Sequence, residues 1–445
     1  MLPDYIAKTA PNPASNRGPW YANIAPSYAG VFLWVVFYMK LAEGTINRAG
    51  LGWCLVALAL AAVVSYALFY RVPAMLGMQT GYPLYVVGSS TFGTRGGYLM
   101  PGLLMGLLQV GWFSVNTFVS TDFILKGLKA DAGPGTLPFA VAAILWGYTM
   151  AYIGVKGIRY VARFALYLNL IPLLMILIVF FRTAGGIERH VVTDPAPYVG
   201  LALLVHAVVG FFATAGAAGA DFGMNARDAR DVEMGGKVGI ALAILVAGAL
   251  PLLSVAGARA LYGIQGYSYD AVIAGLGGFL ATAMFFLFAI ASIPPACFCA
   301  FIAGNSFATM IPGVPRMTST MIGATVALVL AITGVAADLI GLFTIVGASF
   351  GPICGAMAAD YLLSGGRWAG PREGVNWAGY GAWAVGFVVG ILPFLPLAET
   401  TKAYIQPASV YSFLAGFLVY WLLAKAGLEP KVVPIRPAGA VLAGH

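Results

Sequence analysis

The chain has 445 residues, of which 60% are hydrophobic and 9% are charged, and its mean hydropathy is +0.88. A water-soluble globule of this length must present a polar exterior, so the composition excludes that class and predicts a membrane protein. The formal net charge of +8 does not indicate a nucleic-acid partner, because the basic residues collect in the loops between apolar segments.

Twelve apolar segments follow one another along the chain, and each is long enough to cross a bilayer. A helix needs about 20 mostly apolar residues to span roughly 30 Å of hydrocarbon. The sequence therefore predicts an all-α polytopic membrane protein with twelve transmembrane helices. The segments lie at 26–46, 51–70, 97–121, 138–153, 161–181, 198–219, 236–256, 277–303, 318–336, 338–362, 376–395 and 408–424.

The loops and tails predict the orientation of the chain. A transporter domain at 26–424 is flanked by tails at 1–25 and 425–445, whose Pro, Ala and Gly content predicts loose order. If both tails are cytoplasmic, the cytoplasmic segments carry more than twice as many Lys and Arg as the opposite ones, as the positive-inside rule requires. No Walker-type motif occurs, which indicates a secondary carrier or a channel.

Two interruptions fall in the first helices of two five-helix halves. The first is M-K-L-A-E-G-T at 39–45, and the second is G-F-F-A-T-A-G-A-A-G at 210–219. Carriers with inverted repeats place such interruptions around a binding site at the membrane midplane. The alternative interpretation is that the glycines only allow close helix packing.

Several short motifs, in the same order along the chain, resemble those of the nucleobase–cation symporter family, and of bacterial cytosine permeases in particular. They are L-Q-V-G-W-F-S-V-N at 108–116, G-V-K-G at 154–157, V-G-F-F-A-T-A-G at 209–216, A-D-F at 220–222, G-P at 351–352, A-D-Y-L at 359–362 and V-N-W at 375–377. The resemblance implies a leucine-transporter-like fold, with inverted repeats at 26–181 and 198–362 and two peripheral helices within 376–424. It also implies a planar heterocyclic substrate and a coupling cation, with no other cofactor.

The motif in the third helix supplies the predicted substrate site. Trp112 offers an indole face, and stacking of a base on such a face is worth about 1–3 kcal/mol. Asn116 lies one helical turn later, and its amide offers both a donor and an acceptor to the edge of a heterocycle. Gln109 faces nearly the same side and is predicted to orient Trp112. The alternative for Trp112 is an ordinary packed or interfacial tryptophan.

The sixth helix is predicted to close the other side of the substrate. The resemblance assigns the aromatic position of this helix to Phe212, and it leaves Phe211 a packing role. Thr214 stands where cytosine permeases have Ser, so it could add a hydroxyl contact.

The eighth helix departs from the family. Cytosine permeases carry W-T-T-N there, whereas this chain has A-I-A-S-I-P-P-A-C-F-C at 289–299. The adjacent prolines Pro294 and Pro295 kink the helix and free nearby carbonyls, which with Ser292 remain candidate ligands for a cation. The departure puts both cytosine and sodium in doubt.

Charged residues in the first span offer a different means of coupling. Lys40 and Glu43 share a face if the helix is continuous, and a charge within the bilayer usually faces a cavity or a partner. We therefore expect Lys40 to replace sodium or to carry the coupling proton, with Glu43 as a relay. The alternative is that Glu43 ends the span and Lys40 snorkels outward. Asp122 is expected to pair with Lys126, and His206 to bond to a neighbouring helix.

The sequence as a whole predicts a secondary active transporter in a bacterial inner membrane, which imports a nucleobase or related heterocycle by alternating access. Coupling to protons is favoured over sodium. Allantoin, hydantoin and a thiamin-precursor pyrimidine are the alternative substrates, and a passive channel or a non-transporting sensor are the alternatives outside the carrier class. The scarcity of histidines argues against an enzyme, and the cysteines, all in apolar segments, do not indicate a metal site. The lipid bilayer is a predicted partner, and no obligate protein partner is expected.

Overall fold

The computed structural model describes residues 2–25, 31–311 and 313–435, without the side chains of 158–160, 162–166, 169, 399 and 400. In these ranges the regular structure is helical, apart from two isolated β-bridges. The principal helices are α1 (Val31–Phe37), α2 (Leu41–Thr80), α3 (Gly96–Gly127), α4 (Leu137–Lys156), α5 (Ile158–Thr183), α6 (Pro197–Ala217), α7 (Ala229–Tyr262), α8 (Gly278–Met310), α9 (Arg316–Ile332), α10 (Leu339–Leu363), α11 (Trp377–Ile391) and α12 (Ala408–Lys425).

Ten helices in the described ranges are long and apolar enough to cross a membrane, and α9 is a shorter apolar helix. The predicted first span, 26–46, begins at residues 26–30, which lie outside the described residues, and it continues through α1 into α2. The second span, 51–70, falls on the remainder of α2, beyond Gly50, whose φ of 73° bends the helix. Twelve crossings are reached when α1 and the start of α2 are counted together as one crossing and α9 is counted as another.

The described parts of both tails lie on one face of the protein. The Tyr5 hydroxyl donates to the Thr94 carbonyl just before α3, at 2.8 Å. The Val433 amide donates to the Pro371 carbonyl between α10 and α11, at 2.7 Å, and Ile435 packs beside Tyr5. The described parts of the two tails therefore pack against neighbouring loops.

The prediction of a loose N-terminal tail is wrong for the described residues. Tyr5 is buried, and the Asn12 amide donates to Asn225 Oδ1 between α6 and α7, at 2.8 Å. Gly18 forms a parallel bridge with Ala226. The polar composition of the tail concealed these contacts, because its partners lie far away in sequence.

The first predicted interruption is present. Residues 38–40 form turns between α1 and α2, and Lys40 has a φ of −130°, outside the helical range. The sixth helix, by contrast, runs unbroken to Ala217 and turns only at Ala218 before a short helix, Gly219–Gly223.

The glycines of the sixth helix serve close packing. A Cβ on Gly210 would lie 2.5 Å from the Phe343 carbonyl oxygen of α10, and one on Gly216 would lie 2.7 Å from the Phe69 Cβ of α2. Neither distance leaves room for a side chain. Gly210 and Gly216 therefore allow close helix packing, as the alternative interpretation of this segment held. Gly210 in particular lets α6 approach α10 in the interior.

Burial distinguishes central helices from peripheral ones. Within their most apolar stretches, α10, α6 and α3 are 83%, 78% and 67% buried, whereas α11 is 28% and α12 is 33% buried. The helices that carry the predicted substrate residues are therefore the central ones.

Candidate functional site

Aromatic rings from α1, α3, α6 and α10 meet in the interior. The Phe211 ring centroid lies 5.1 Å from Trp112, with the planes perpendicular, and 5.5 Å from Phe343. Trp112 lies 5.6 Å from Phe343, and Phe37 is stacked on Phe343 at 5.5 Å. Such edge-to-face and offset contacts stabilise aromatic packing. We call the set the aromatic cluster, which comprises Trp34, Phe37, Trp112, Phe211, Phe212 and Phe343.

Local structure explains why these rings converge. Phe37 is the last residue of α1, so its ring lies next to the break at 38–40. Gly210 lets α6 approach α10 where Phe343 lies. The cluster thus occupies the interior beside the interrupted first helix, where inverted-repeat carriers bind their substrates.

The structure places Phe211, and not Phe212, against Trp112. Phe211 has ring contacts with Trp112, Phe37 and Phe343, whereas the ring contacts of Phe212 are with Trp34 and Phe211. Consecutive residues point about 100° apart on a helix, so only one of the two can face α3. Of the two rings, Phe211 is therefore the one that packs against Trp112.

Asn116 is buried and only half satisfied. Its Nδ2 donates to the Trp112 carbonyl at 2.8 Å, while its Oδ1 has no hydrogen-bond partner among the described residues. A carbonyl can only accept, so the amide is fixed with its nitrogen toward Trp112. The group that Asn116 can offer to a ligand is therefore an acceptor.

The other two polar candidates are less directly engaged. Gln109 is buried, and its Nε2 lies 3.7 Å from Met105 Sδ on the preceding turn. It thus directs its amide away from Trp112, which it was predicted to orient. Thr214 is buried on α6, and its hydroxyl forms no hydrogen bond to the described residues.

The break predicted in α8 is present, with Ser292 at its centre. Helical segments Gly278–Ala291 and Ile293–Met310 flank it. Ser292 Oγ lies 2.5 Å from Ser120 Oγ of α3 and 2.6 Å from the Ala289 carbonyl. Because Pro294 and Pro295 have no N–H, the carbonyls of Ile290 and Ala291 lack the usual helical donor. Ser292 therefore joins α3 to α8, next to two freed carbonyls.

The same two helices meet again at Asn116. Its Nδ2 lies 4.0 Å from Cys299 Sγ of α8. Cys299 was not predicted as a site residue, since a cysteine in an apolar span carries no signal by itself.

Lys40 and Glu43 do not form the predicted pair. Lys40 lies in the break and Glu43 in the first turn of α2, so the helix is not continuous between them. Both side chains are exposed, and neither forms a hydrogen bond or ion pair with a described residue.

Charged residues of α3 and of the short helix Tyr269–Gly275 meet on the face opposite the tails. Lys126 Nζ lies 2.7 Å from Asp122 Oδ2, which confirms the predicted pair, and it also contacts Asp270. The neighbouring Tyr269 amide donates to the Tyr38 carbonyl in the break, at 3.2 Å. The short helix Tyr269–Gly275 is therefore tied both to α3 and to the interrupted first helix.

His206 links three helices, as expected. The Ser409 amide of α12 donates to its Nδ1 at 3.1 Å, and its Nε2 lies 3.0 Å from Thr344 Oγ1 of α10. A ring nitrogen that accepts from a backbone amide has no hydrogen, so the imidazole is neutral with Nε2–H as the donor.

The buried charges at the end of α10 were missed. Arg372 Nη1 lies 2.8 Å from Asp360 Oδ1, and its Nη2 lies 2.9 Å from Glu429. Ser90 and Thr91 donate to the other Asp360 oxygen at 2.7 and 2.9 Å. Asp360 lies within the A-D-Y-L motif at 359–362, so the motif marked the position but not its partners.

The A-D-F motif places a second carboxylate beside a loop. Asp221, beyond the end of α6, accepts the Leu84 amide at 3.0 Å, where the short helix Leu84–Val87 begins. Burial raises the pKa of Asp221 to about 6, although the bond from Leu84 opposes this shift. Among the described residues there is no group of three His, Cys, Asp or Glu side chains that could hold a metal ion.

Proteins of known function resemble this chain over most of its length. Cytosine permeases from Escherichia coli O157:H7 and Escherichia coli strain K12 are each 27% identical over 348 residues, or 76% of this chain and 78% of theirs. Among solved structures, the inward-facing conformation of Mhp1 matches with a TM-score of 0.71 and 18% identity, covering 97% of this chain and 98% of that one.

Two further structures share the fold. Mhp1, a nucleobase-cation-symport-1 family transporter in a closed conformation with bromovinylhydantoin bound, matches with a TM-score of 0.66 and 18% identity over 94% of each chain. A sodium-coupled sialic acid symporter matches with a TM-score of 0.58 and 12% identity, over 97% of this chain and 93% of that one. A family of permeases for cytosine, purines, uracil, thiamine and allantoin matches residues 11–418. The chain therefore belongs to this permease family, and it is a multi-pass membrane transporter rather than an enzyme.

Proposed function

We propose that the protein imports a neutral nucleobase or a related small heterocycle by alternating access, coupled to a proton gradient. The observation that carries this proposal is the unpaired Oδ1 of Asn116, buried one turn from Trp112 in the interior. A buried acceptor without a partner is costly, and an N–H on the edge of a heterocycle would satisfy it. Cytosine, uracil, purines, allantoin and hydantoins all carry such a group.

The aromatic cluster supports a planar ligand. Trp112 and Phe211 meet edge to face at 5.1 Å, and Phe343 lies within 5.6 Å of both. A ring stacked on Trp112 would gain about 1–3 kcal/mol. The named side chains of the cluster and its polar neighbours carry no formal charge, which favours a neutral ligand over an ionic one.

Proton coupling is favoured because the break in the eighth helix offers one side-chain hydroxyl beside its two freed carbonyls. Ser292 supplies one hydroxyl at the break, and Ser120 already lies within hydrogen-bonding distance of it. Of the charged candidates, Lys40 keeps support because it lies in the break. Glu43 lies beyond the break, in the first turn of α2.

We place the protein in a bacterial inner membrane with both tails in the cytoplasm. The excess of Lys and Arg in the segments on the tail side supports this orientation, and the common face of the two tails is consistent with it.

The first test is a thermal-shift screen of purified protein with cytosine, uracil, adenine, hypoxanthine, allantoin, hydantoin and a thiamin-precursor pyrimidine, with and without sodium. A ligand of the folded state raises the unfolding midpoint. We expect a sodium-independent hit that Trp112→Ala abolishes and Trp53→Ala retains, because Trp53 is exposed on α2. An unchanged response in Trp112→Ala would refute the site.

Transport in proteoliposomes then tests the coupling. We expect the hit to accumulate when a proton gradient is imposed, with saturable kinetics and no requirement for sodium. Uptake driven only by sodium would overturn proton coupling. Unsaturable equilibration would indicate a channel, and binding without any uptake would indicate a sensor.

A further inference from the structure

A cavity outside the substrate site opens on the face opposite the tails. Its volume is about 320 Å³, and its walls come from the first part of α2, from α6, from the start of α10 and from the segment between α11 and α12. The apolar walls include Leu203, Ile340 and Phe394. A cavity of this size holds a small polar group together with the first atoms of an apolar chain.

Hydrogen-bond donors converge on this cavity. Arg48 uses its Nε for Asp194, at 3.1 Å, and its two terminal nitrogens form no hydrogen bond with a described residue. Gln406 is only 9% exposed, and its Oε1 accepts the Ala408 amide at 3.0 Å. Its Nε2 forms no hydrogen bond with the side chains and backbone that the structure describes, and Lys402 adds a positive charge to the lining. The arrangement suits an anion.

One acceptor lies among these donors. Asp338 caps α10 by accepting the Gly341 amide at 2.9 Å, and its carboxylate lines the cavity. A bare phosphate would meet this negative charge unfavourably. A phosphate that also carries hydroxyl groups would place its oxygens near Arg48 and Gln406 and donate a hydroxyl to Asp338.

The surroundings of the cavity have the character of a membrane interface. Tyr404 and Phe394 are exposed by 74% and 51%, and the rings of Tyr198 and Tyr404 lie 5.9 Å apart. Exposed aromatic residues at helix ends mark the level of the lipid headgroups, and basic side chains at this level attract the phosphate of an anionic headgroup.

We propose that this cavity binds the phosphoglycerol headgroup of an anionic phospholipid. Arg48 and Gln406 hold the phosphate, and Asp338 accepts a glycerol hydroxyl. Thr344, which lines the cavity, directly follows Phe343 of the aromatic cluster. A bound lipid therefore acts on the helix that presents Phe343 to Trp112.

The test measures the unfolding midpoint of the full-length protein in detergent with added dioleoyl-phosphatidylglycerol or dioleoyl-phosphatidylcholine. Parallel samples contain glycerol 3-phosphate or inorganic phosphate. We expect phosphatidylglycerol alone to raise the midpoint, by mass action on the folded state. A shift with phosphatidylcholine of the same size, or with either soluble phosphate, would overturn the lipid assignment.

Variants then locate the site. Arg48→Gln and Gln406→Glu should each weaken the apparent phosphatidylglycerol affinity by about tenfold or more. Gln406→Glu keeps the oxygen that accepts the Ala408 amide, so its fold is preserved while its donor becomes a repelling carboxylate. Arg189→Gln removes an equal charge from an exposed residue before α6 and should bind like wild type. Equal weakening in Arg189→Gln, or no weakening in Gln406→Glu, would refute the proposal. Neither result would bear on heterocycle binding at Trp112.

Discussion

Replacement of Asn116 tests the proposed recognition most directly. In Asn116→Leu the buried acceptor disappears, while the neighbouring rings of Trp112 and Phe211 keep their places. An N–H of the ligand would then be buried without a partner, which costs about 1–3 kcal/mol. That corresponds to a dissociation constant about 5 to 150 times larger.

Asn116→Asp tests the same acceptor through the protonation of the new carboxyl group. The oxygen that replaces Nδ2 would face the Trp112 carbonyl, which lies 2.8 Å from Nδ2, and two acceptors repel at that distance. A protonated aspartic acid restores the donor to Trp112 and keeps the second oxygen for the ligand. Binding by Asn116→Asp should therefore recover as the pH falls, whereas binding by Asn116→Leu should stay weak.

The assay is isothermal titration of each purified variant with the heterocycle that gives the largest thermal shift, at two pH values. Ser114→Ala is the matched control, because the Ser114 hydroxyl donates only within α3, to Gly111. If Asn116→Leu binds the heterocycle as tightly as wild type, the free Oδ1 is not a ligand contact. A weakened Ser114→Ala would show that any polar loss in α3 has the same effect.

Three other changes test the remaining geometry. Phe211→Ala should weaken heterocycle binding more than Phe212→Ala in the same titration, because only Phe211 contacts Trp112; the reverse order would restore the assignment made from sequence. Asp360→Ala removes one of the two carboxylates that pair with the buried Arg372 guanidinium and leaves Glu429 as the other, so it should cost less than the about 3–5 kcal/mol of a buried pair that is broken outright. Its unfolding midpoint should still fall further than that of Asp360→Ala/Arg372→Met; an equal or larger fall in the double variant would contradict this. The raised pKa of Asp221, about 6, means that the folded state holds its proton more tightly than the unfolded state, so stability is lost as the pH rises toward 6. Asp221→Asn keeps an oxygen that can accept the loop amide but has no proton to bind. Its unfolding midpoint should therefore rise by less than that of wild type when the pH is lowered from about 7.5 to about 5. Identical pH profiles would show that protonation of Asp221 does not contribute to stability.

Local patterns predicted much of the fold. Apolar segments of about 20 residues placed the spanning helices, since the bilayer sets their length. The pair Asp122 and Lys126 followed from their spacing of four residues. The break at 38–40 was predicted from the charged residues near it. The break at Ser292 was predicted from the two prolines that follow it, because proline disrupts the helix next to it.

The features that could not be predicted depend on the rotation of a helix about its axis and on contacts between residues distant in sequence. Phe211 and Phe212 differ by one position, which on a helix decides which neighbour a ring meets. Lys40 and Glu43 would share a face only on a continuous helix, and the break between them removed that condition. Asp360 obtains its buried environment from Arg372 and from the loop before α3, which no local pattern connects.

The two ends of α10 are held very differently, and this bears on how the aromatic cluster can move. At the tail side, Asp360 is buried among Arg372, Ser90 and Thr91. At the opposite side, α10 begins at the cavity and is capped by its own Asp338. Breaking the buried ion pair would cost several kcal/mol, whereas no ion pair of the described residues involves Asp338. A shift of α10 relative to α3 should therefore pivot about its Asp360 end and carry Phe343 across the face of Trp112.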